Sequence, residues 1–287
     1  MKLRAYAKIN IGLNVLDKRS DGYHDLETVF HEIDCFDEIE LQRHDKVAMT
    51  ADSILVPVDG SNLCLSAANL LQKEKHVRQG VLIHLKKNIP VGAGLGGGSS
   101  DAAAVLCCLN QFWELKLSNN QLRVLAAQIG SDVPFFINGG TAYATGRGEI
   151  LEFFSLTLPF WIAVVTPLIR ISTAWAYDHL VVKRNGKASG LQIKLVKQIS
   201  NPQKLASVIQ NDFEISVFKI YPELNRIKKK LIEMGAVFSL MSGSGSSMYG
   251  FFENDKKALA ALSSFPKNYQ TSITAPSFKS IHEPKAD

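Results

Sequence analysis

The order of apolar and polar residues predicts an α+β fold in two domains, and three observations carry that expectation. The chain opens on a strictly alternating segment. A glycine-dense loop near residue 95 runs straight into a helix-forming stretch, and beyond about residue 155 the elements fall in the order β-α-β-β-α-β. At 287 residues there is room for two domains of moderate size, expected at 1–154 and 155–287. Hydrophobic residues make up 46% and charged residues 21%, which excludes a disordered or collagenous chain. The net charge of +5 suits an anionic ligand without requiring a nucleic acid.

Taken in order, residues 5–15 place Ala5, Ala7, Ile9, Ile11, Leu13 and Val15 on one face and Tyr6, Lys8, Asn10, Gly12 and Asn14 on the other, as in a strand with one buried face. A polar break at 17–22 precedes a second strand at 23–33, with shorter strand-like pieces at 38–41 and 81–85. Asn62 can cap a helix whose Leu63, Ala67, Leu70 and Leu71 share a stripe. Ser99 and Ser100 stand ahead of an alanine-rich helix. Ser118 with Gln121 forms a capping box for the next helix, before Gly130 stops it. Residues 141–154 read as a hairpin turning at Gly146-Arg147-Gly148.

The second domain has strands at 160–165, 236–241, 248–252 and 269–274, with helices near 172–180, 222–234 and 255–263 and extra helix inserted after the first of these. This is the ferredoxin-like order. Residues 183–204 hold six basic residues and no acidic one, as expected of a solvated, mobile surface. Cys35, Cys64, Cys107 and Cys108 have no C-x-x-C spacing, so neither a disulfide framework nor a zinc site is expected, and no metal ligands are assigned. No secretory signal precedes the first strand, and the longest apolar run, 158–169, is too short for a bilayer and contains Pro159 and Pro167. Cytoplasmic residence, without membrane or nucleic-acid partner, is the expectation.

The strongest chemical signal is Pro90-Val91-Gly92-Ala93-Gly94-Leu95-Gly96-Gly97-Gly98-Ser99-Ser100, with five glycines in the seven positions from 92 to 98. A loop so stripped of side chains can turn several N–H groups onto one concave surface, and the helix that follows adds its positive end. A polyphosphate fits such a site, with Ser99 and Ser100 offering hydroxyls to phosphate oxygens or Mg²⁺. Gly92, Gly94 and Gly97 satisfy G-x-G-x-x-G, but a helix continues where the dinucleotide fold needs a strand ending in an acidic residue. A Walker loop would need Gly-Lys-Ser/Thr, and a protein kinase His-Arg-Asp and Asp-Phe-Gly; neither occurs.

Residues 90–100 resemble the second motif of the GHMP kinases, a superfamily of small-molecule kinases, in the form Pro-x-x-x-Gly-Leu-Gly-Ser/Gly-Ser-Ser. Met241-Ser242-Gly243-Ser244-Gly245-Ser246-Ser247 resembles the third motif. Ala7-Lys8-Ile9-Asn10, Arg19-Ser20-Asp21-Gly22-Tyr23-His24 and Gly130-Ser131-Asp132-Val133-Pro134-Phe135-Phe136 narrow the resemblance to the branch whose acceptor is 4-diphosphocytidyl-2-C-methyl-D-erythritol. The resemblance spans residues 7–247 and implies a ribosomal-protein-S5-like N-terminal domain, a ferredoxin-like C-terminal domain and a cleft between them. ATP and Mg²⁺ are the implied cofactors, and the implied state is a monomer or weak homodimer.

By that resemblance, Lys8 acts on the reacting hydroxyl and phosphoryl group, Asn10 on the substrate, and Asp132 as general base. Asp132 also sits where it could cap a short helix. Tyr23 would stack on the cytosine, His24 would hydrogen-bond its edge, and Tyr177 would close the sandwich. Gly243 and Ser244 would close over the cleft, and residues 90–100 would hold the ATP phosphates. A catalytically silent nucleic-acid binder with an S5-like fold is the alternative from another class, and it predicts steeply salt-dependent RNA binding without ATP turnover.

Overall fold

The structure, a computed structural model, describes residues 1–180 and 188–280. Its first sheet is built around two long antiparallel strands, β1 (Lys2–Lys18) and β2 (His24–His44). β2 also pairs antiparallel with β4 (Gly80–Lys86) through residues 38–44 and with β5 (Thr141–Thr145) through residues 28–31. β3 (Val47–Ala51) lies parallel to β4 and β6 (Ile150–Phe153) antiparallel to β5, giving six strands. The expected strands at 23–33 and 38–41 are thus one strand. β3 was not foreseen, because Val47-Ala48-Met49-Thr50-Ala51 is short and lacks the apolar–polar alternation that marks a strand.

Two helices, α1 (Leu63–Lys75) and α2 (Gly97–Phe112), pack together on this sheet, with α3 (Asn119–Ala126) and α4 (Val133–Asn138) alongside. The Asn62 side chain accepts from Cys64 N–H, and both halves of the Ser118–Gln121 capping box form. α2 departs from expectation at its start. Gly96, with φ of +72°, is the N-cap, so the helix begins inside the glycine run and the two serines lie in its first turn. Ala102, Ala103, Val105 and Leu106 then bury against Ile39, Ile83 and Leu71 in the first core.

The expectation of one buried face on β1 is corrected: both faces are buried from Ala5 to Leu16. Register shifts after Tyr6 and after Asn10 divide the apolar residues among three cores. Leu3 and Ala5 join the α1–α2 core, Ala7, Ile9 and Ile11 meet Ile162, Val164, Leu240 and Phe251 of the second sheet, and Leu13 and Val15 meet Phe213 and Val217. β1 therefore runs through the seam of the molecule. Lys8 and Asn10, in its buried middle, are covered by the loops of the site rather than by water.

The second sheet comprises β7 (Trp161–Thr166), β8 (Phe238–Met241), β9 (Met248–Phe252) and β10 (Gln270–Thr274), antiparallel throughout in the order β10-β7-β9-β8. With α9 (Pro222–Glu233) and α10 (Asp255–Ser263) as the two helices, this is the ferredoxin-like arrangement the sequence predicts. α5 (Thr173–Asp178), α6 (Leu191–Gln198), α7 (Pro202–Val208) and α8 (Phe213–Ile220) lie between β7 and α9. The expected mobile basic surface at 183–204 falls partly on residues 181–187, outside the described residues. The remainder is corrected, since Leu191 and Leu195 are fully buried against the β1 core. Basic residues on the outer turns of α6 masked a periodic apolar stripe beneath. Among the described residues no helix is long and apolar enough to cross a membrane.

Candidate active site

The loop ahead of α2 is held against β1 by a backbone hydrogen bond from Lys8 N–H to Leu95 O, 3.0 Å. The close packing explains two glycines. At Gly94, φ is +79° and an added Cβ would stand 2.1 Å from the Ser242 carbonyl oxygen. At Gly96 it would stand 2.7 Å from Phe136 Cζ and 3.2 Å from Lys8 Cε. No L side chain is compatible with both the dihedral and the space. The first N–H groups of α2 have no intrahelical partner and carry the positive end of its dipole, so an anion in front of Gly97 and Gly98 meets donors rather than side chains.

The second glycine-serine loop, between β8 and β9, packs on the first. Ser242 Oγ donates to Gly94 O at 2.8 Å and accepts from Asn10 N–H at 3.3 Å, and Ser247 N–H donates to Ala93 O at 3.1 Å. Gly243 and Ser244 line the resulting cleft, with Ser244 Oγ 3.3 Å from Thr173 Oγ1 at the start of α5. The cleft holds about 1060 Å³, at the upper end of the range for small-molecule sites.

Lys8 is buried at its floor. Its Nζ donates to Asn10 Oδ1 at 2.6 Å and to Gly94 O at 3.2 Å, and lies 3.8 Å from Asp132 Oδ2. Burial pulls the Lys8 pKa below the usual lysine value, while the Asp132 carboxylate works against that shift. Asn10 is itself fixed, its Nδ2 donating to Thr28 Oγ1 at 2.8 Å. Asp132 occupies the N-cap position of α4, yet its side chain caps nothing, so the carboxylate is free to face Lys8 and the cleft.

Of the residues expected to hold the ATP phosphates, Pro90, Val91, Gly92, Ala93, Gly94, Gly96, Gly97, Gly98 and Ser99 line the cleft. Leu95 and Ser100 do not. Leu95 is buried with Ile9 and Ile89 between the sheets, and Ser100 Oγ donates to Tyr6 O at 2.6 Å. The helical period carries Ser100 to the strand side of α2, while Ser99 stays on the cleft side.

The aromatic end differs from a Tyr23–Tyr177 sandwich. His24 stacks on Tyr177, centroids 5.0 Å apart and planes 18° off parallel, while the exposed Tyr23 lies under the Arg147 guanidinium at 4.9 Å. Neighbours at the start of a strand point to opposite sides, so Tyr23 and His24 face different partners. Burial and the cation of Lys18 pull His24 below its ordinary pKa; burial, then Asp132, pushes Tyr177 up to about 12. Arg147, from the β5–β6 turn, was not singled out as a site residue. The available signal was a cation between two glycines at a hairpin tip. Phe213 was likewise missed: it lines the cleft and packs edge-on against Tyr177 at 4.9 Å.

No group of three or more His, Cys, Asp or Glu side chains that could hold a metal ion occurs among the described residues. Ser99, Asp101 and Asp132 offer side-chain oxygens beside the glycine loop, and of these Asp101 is already paired with Lys87 at 2.7 Å, which leaves Ser99 and Asp132. That set fits Mg²⁺ carried on a polyphosphate, an ion that keeps waters and takes one or two protein oxygens.

Residues 62–140 match the GHMP kinases N terminal domain and residues 193–271 the GHMP kinases C terminal domain. The 4-diphosphocytidyl-2-C-methyl-D-erythritol kinase of Pelodictyon phaeoclathratiforme is 42% identical over 279 residues, covering 96% of this chain and 97% of the relative. That of Chlorobium limicola is 43% identical over 284 residues, covering 98% and 99%. A crystal structure of 4-(cytidine 5'-diphospho)-2C-methyl-D-erythritol kinase superposes with a TM-score of 0.82 at 32% identity, over 97% of this chain and 100% of that one. A homoserine kinase from Cytophaga hutchinsonii, at TM-score 0.69 and 19% identity, shares the fold over 94% of this chain and 95% of its own. With both domains matched and the likeness running end to end, this chain belongs to the GHMP kinases, and within them to the 4-diphosphocytidyl-2-C-methyl-D-erythritol kinases.

Proposed function

We propose that the cleft between the N-terminal lobe, 1–154, and the C-terminal lobe, 155–287, transfers the γ-phosphoryl group of ATP to the 2-hydroxyl of 4-diphosphocytidyl-2-C-methyl-D-erythritol. The products are the 2-phosphate and ADP, in the non-mevalonate route to isoprenoid precursors. The observation that carries the residue assignment is the convergence of Lys8 Nζ on both the Gly94 carbonyl and the Asp132 carboxylate, at 3.2 and 3.8 Å, on the floor of one cleft.

The glycine loop and the α2 N-terminus hold the phosphates by backbone N–H groups. Asp132 accepts the proton of the acceptor hydroxyl as its oxygen bonds to the γ-phosphorus and the bond to the β–γ bridging oxygen breaks, its electron pair leaving with ADP. Lys8, tethered on two sides, faces the equatorial oxygens where charge collects; because its donors are already oriented, little reorganisation is needed during transfer. Ser99 and Asp132 would supply the protein oxygens for Mg²⁺, which would neutralise phosphate charge. Tyr23, His24 and Tyr177 hold the cytosine end, and Gly243 and Ser244 close the phosphoryl end.

Release of ADP measured with the cytidyl alcohol, with homoserine and with mevalonate tests the assignment. Turnover dependent on the cytidyl alcohol is expected. Turnover with either of the others and none with the cytidyl compound would replace the acceptor, and salt-dependent RNA binding without turnover would remove the kinase reading altogether.

A further inference from the structure

Asn211 lies outside the cleft, almost fully buried between the end of α7 and α8, yet both hydrogens of its amide are spent on the second glycine-serine loop. Nδ2 donates to Met241 O and to Gly243 O, each at 2.8 Å, and Oδ1 accepts from Phe213 N–H at 3.0 Å. Only one orientation of the amide satisfies all three partners. The two carbonyls flank Ser242, whose Oγ bonds Gly94 O and Asn10 N–H. Gly94 O and Asn10 Oδ1 are in turn the two acceptors of Lys8 Nζ. The residues on either side extend the same frame. Leu13 N–H donates to Gln210 O at 2.8 Å, Asp212 accepts from Val15 N–H at 2.8 Å, and Glu214 accepts from Met241 N–H at 2.9 Å while pairing with Lys228 at 2.5 Å.

Accepting that reading of the reaction, we infer that Asn211 is a positioning residue that sets Ser242, and through it the Gly94 carbonyl and Lys8, in register with the phosphoryl group. It touches neither substrate. Its neighbour Phe213, braced by the Asn211 carbonyl oxygen of the side chain, backs Tyr177 at the other end of the cleft, so one turn of chain locates both ends of the site. A single asparagine serves here because two parallel donors and one acceptor are needed on the same rigid plane. Aspartate keeps the acceptor and the shape but turns two donors into a carboxylate facing two carbonyls.

The test compares wild type, Asn211→Ala, Ser242→Ala and the double variant, with active sites counted by calorimetric ATP binding and turnover measured per occupied site. Asn211→Ala is expected to retain about one ATP site per chain with kcat lowered roughly 10–100-fold, the scale of an ångström-sized misplacement. The double variant is expected to be no worse than the poorer single one, because both act through the same contact. A merely structural role would lower the number of ATP sites and leave turnover per site unchanged. That result, or losses that multiply in the double variant, would overturn the inference. If Asn211→Ala does not fold, Asn211→Asp carries the same comparison. Wild-type turnover separates the two questions: normal wild-type activity with unimpaired variants removes only the role of Asn211, whereas an inert wild type removes the reaction on which that role rests.

Discussion

Lys8 Nζ and Asp132 Oδ2 stand 3.8 Å apart at the floor of the cleft, one residue from the first strand and the other from the turn before α4. Lys8 is held by Asn10 and Gly94, so the pair is a fixed cation beside a carboxylate with no capping duty. A fixed charge beside a free base is the arrangement that proton abstraction with phosphoryl transfer requires.

Replacing Asp132 by Asn removes the proposed proton acceptor without changing its size. kcat should fall by about 10²–10⁴ while ATP affinity stays nearly intact, because the proposed nucleotide contacts belong to the glycine loop and not to Asp132. Steady-state kinetics beside calorimetric ATP binding checks this, and near-normal turnover would remove the base assignment.

Gly94→Ala places a methyl group 2.1 Å from the Ser242 carbonyl at a φ of +79°, backbone against backbone. The loops must separate, and both ATP binding and thermal stability should drop. Gly92→Ala has φ of +68° but nothing within 4 Å of the added carbon, so it should cost only about 1–2 kcal/mol of dihedral strain. Melting curves and ATP titrations of the two variants distinguish crowding from strain; equal behaviour would mean that the inter-loop contact carries no weight.

Tyr23→Ala and Tyr177→Ala should raise KM for the cytidyl substrate far more than KM for ATP. A base–aromatic contact contributes about 1–3 kcal/mol, roughly a 5- to 150-fold change. The present His24–Tyr177 stack must open for a base to enter between the rings, so His24→Ala should weaken the cytidyl substrate less than Tyr177→Ala does. Equal effects on both substrates would refute the assignment of this end of the cleft.

His31 is buried in β2 with Nδ1 2.7 Å from Thr141 Oγ1, and burial pulls its pKa down to about 4. The unfolded chain takes up this proton near pH 6.5, and the folded one resists it until about 4. Stability is therefore complete above about 6.5 and declines as pH falls toward 4, by about 3 kcal/mol in total at 1.4 kcal/mol per unit. Denaturant unfolding across that range should show the slope, and His31→Gln should flatten it.

Much of the fold was legible because local patterns agreed with the final packing. β9 and α10 fall on the expected residues, the Ser118–Gln121 box forms, and the β-α-β-β-α-β order folds as it reads. The errors arose where one residue type serves two environments. Alternation in β1 correctly separated Lys8 and Asn10 from Ile9 and Ile11, but a strand with one wet face and a strand wedged between two layers have the same period. Ser99 and Ser100 look alike as a pair, and only the phase of the helix, set by Gly96 as its cap, sends one to the cleft and the other to Tyr6.

What the sequence determined by itself was the chemistry available: glycines where backbone must approach backbone, a lysine and an asparagine on one strand face, an aspartate ahead of a proline, and aromatics ahead of the second strand. The tertiary structure decided which of these meet. Lys8, Gly94, Asp132, Ser242 and Asn211 belong to five separate segments, and their hydrogen bonds join residues up to 232 positions apart. No local propensity encodes such distances; they follow from burying the middle of β1, a strand of the first sheet, against the second sheet, which leaves Lys8 and Asn10 no water and so obliges them to find partners.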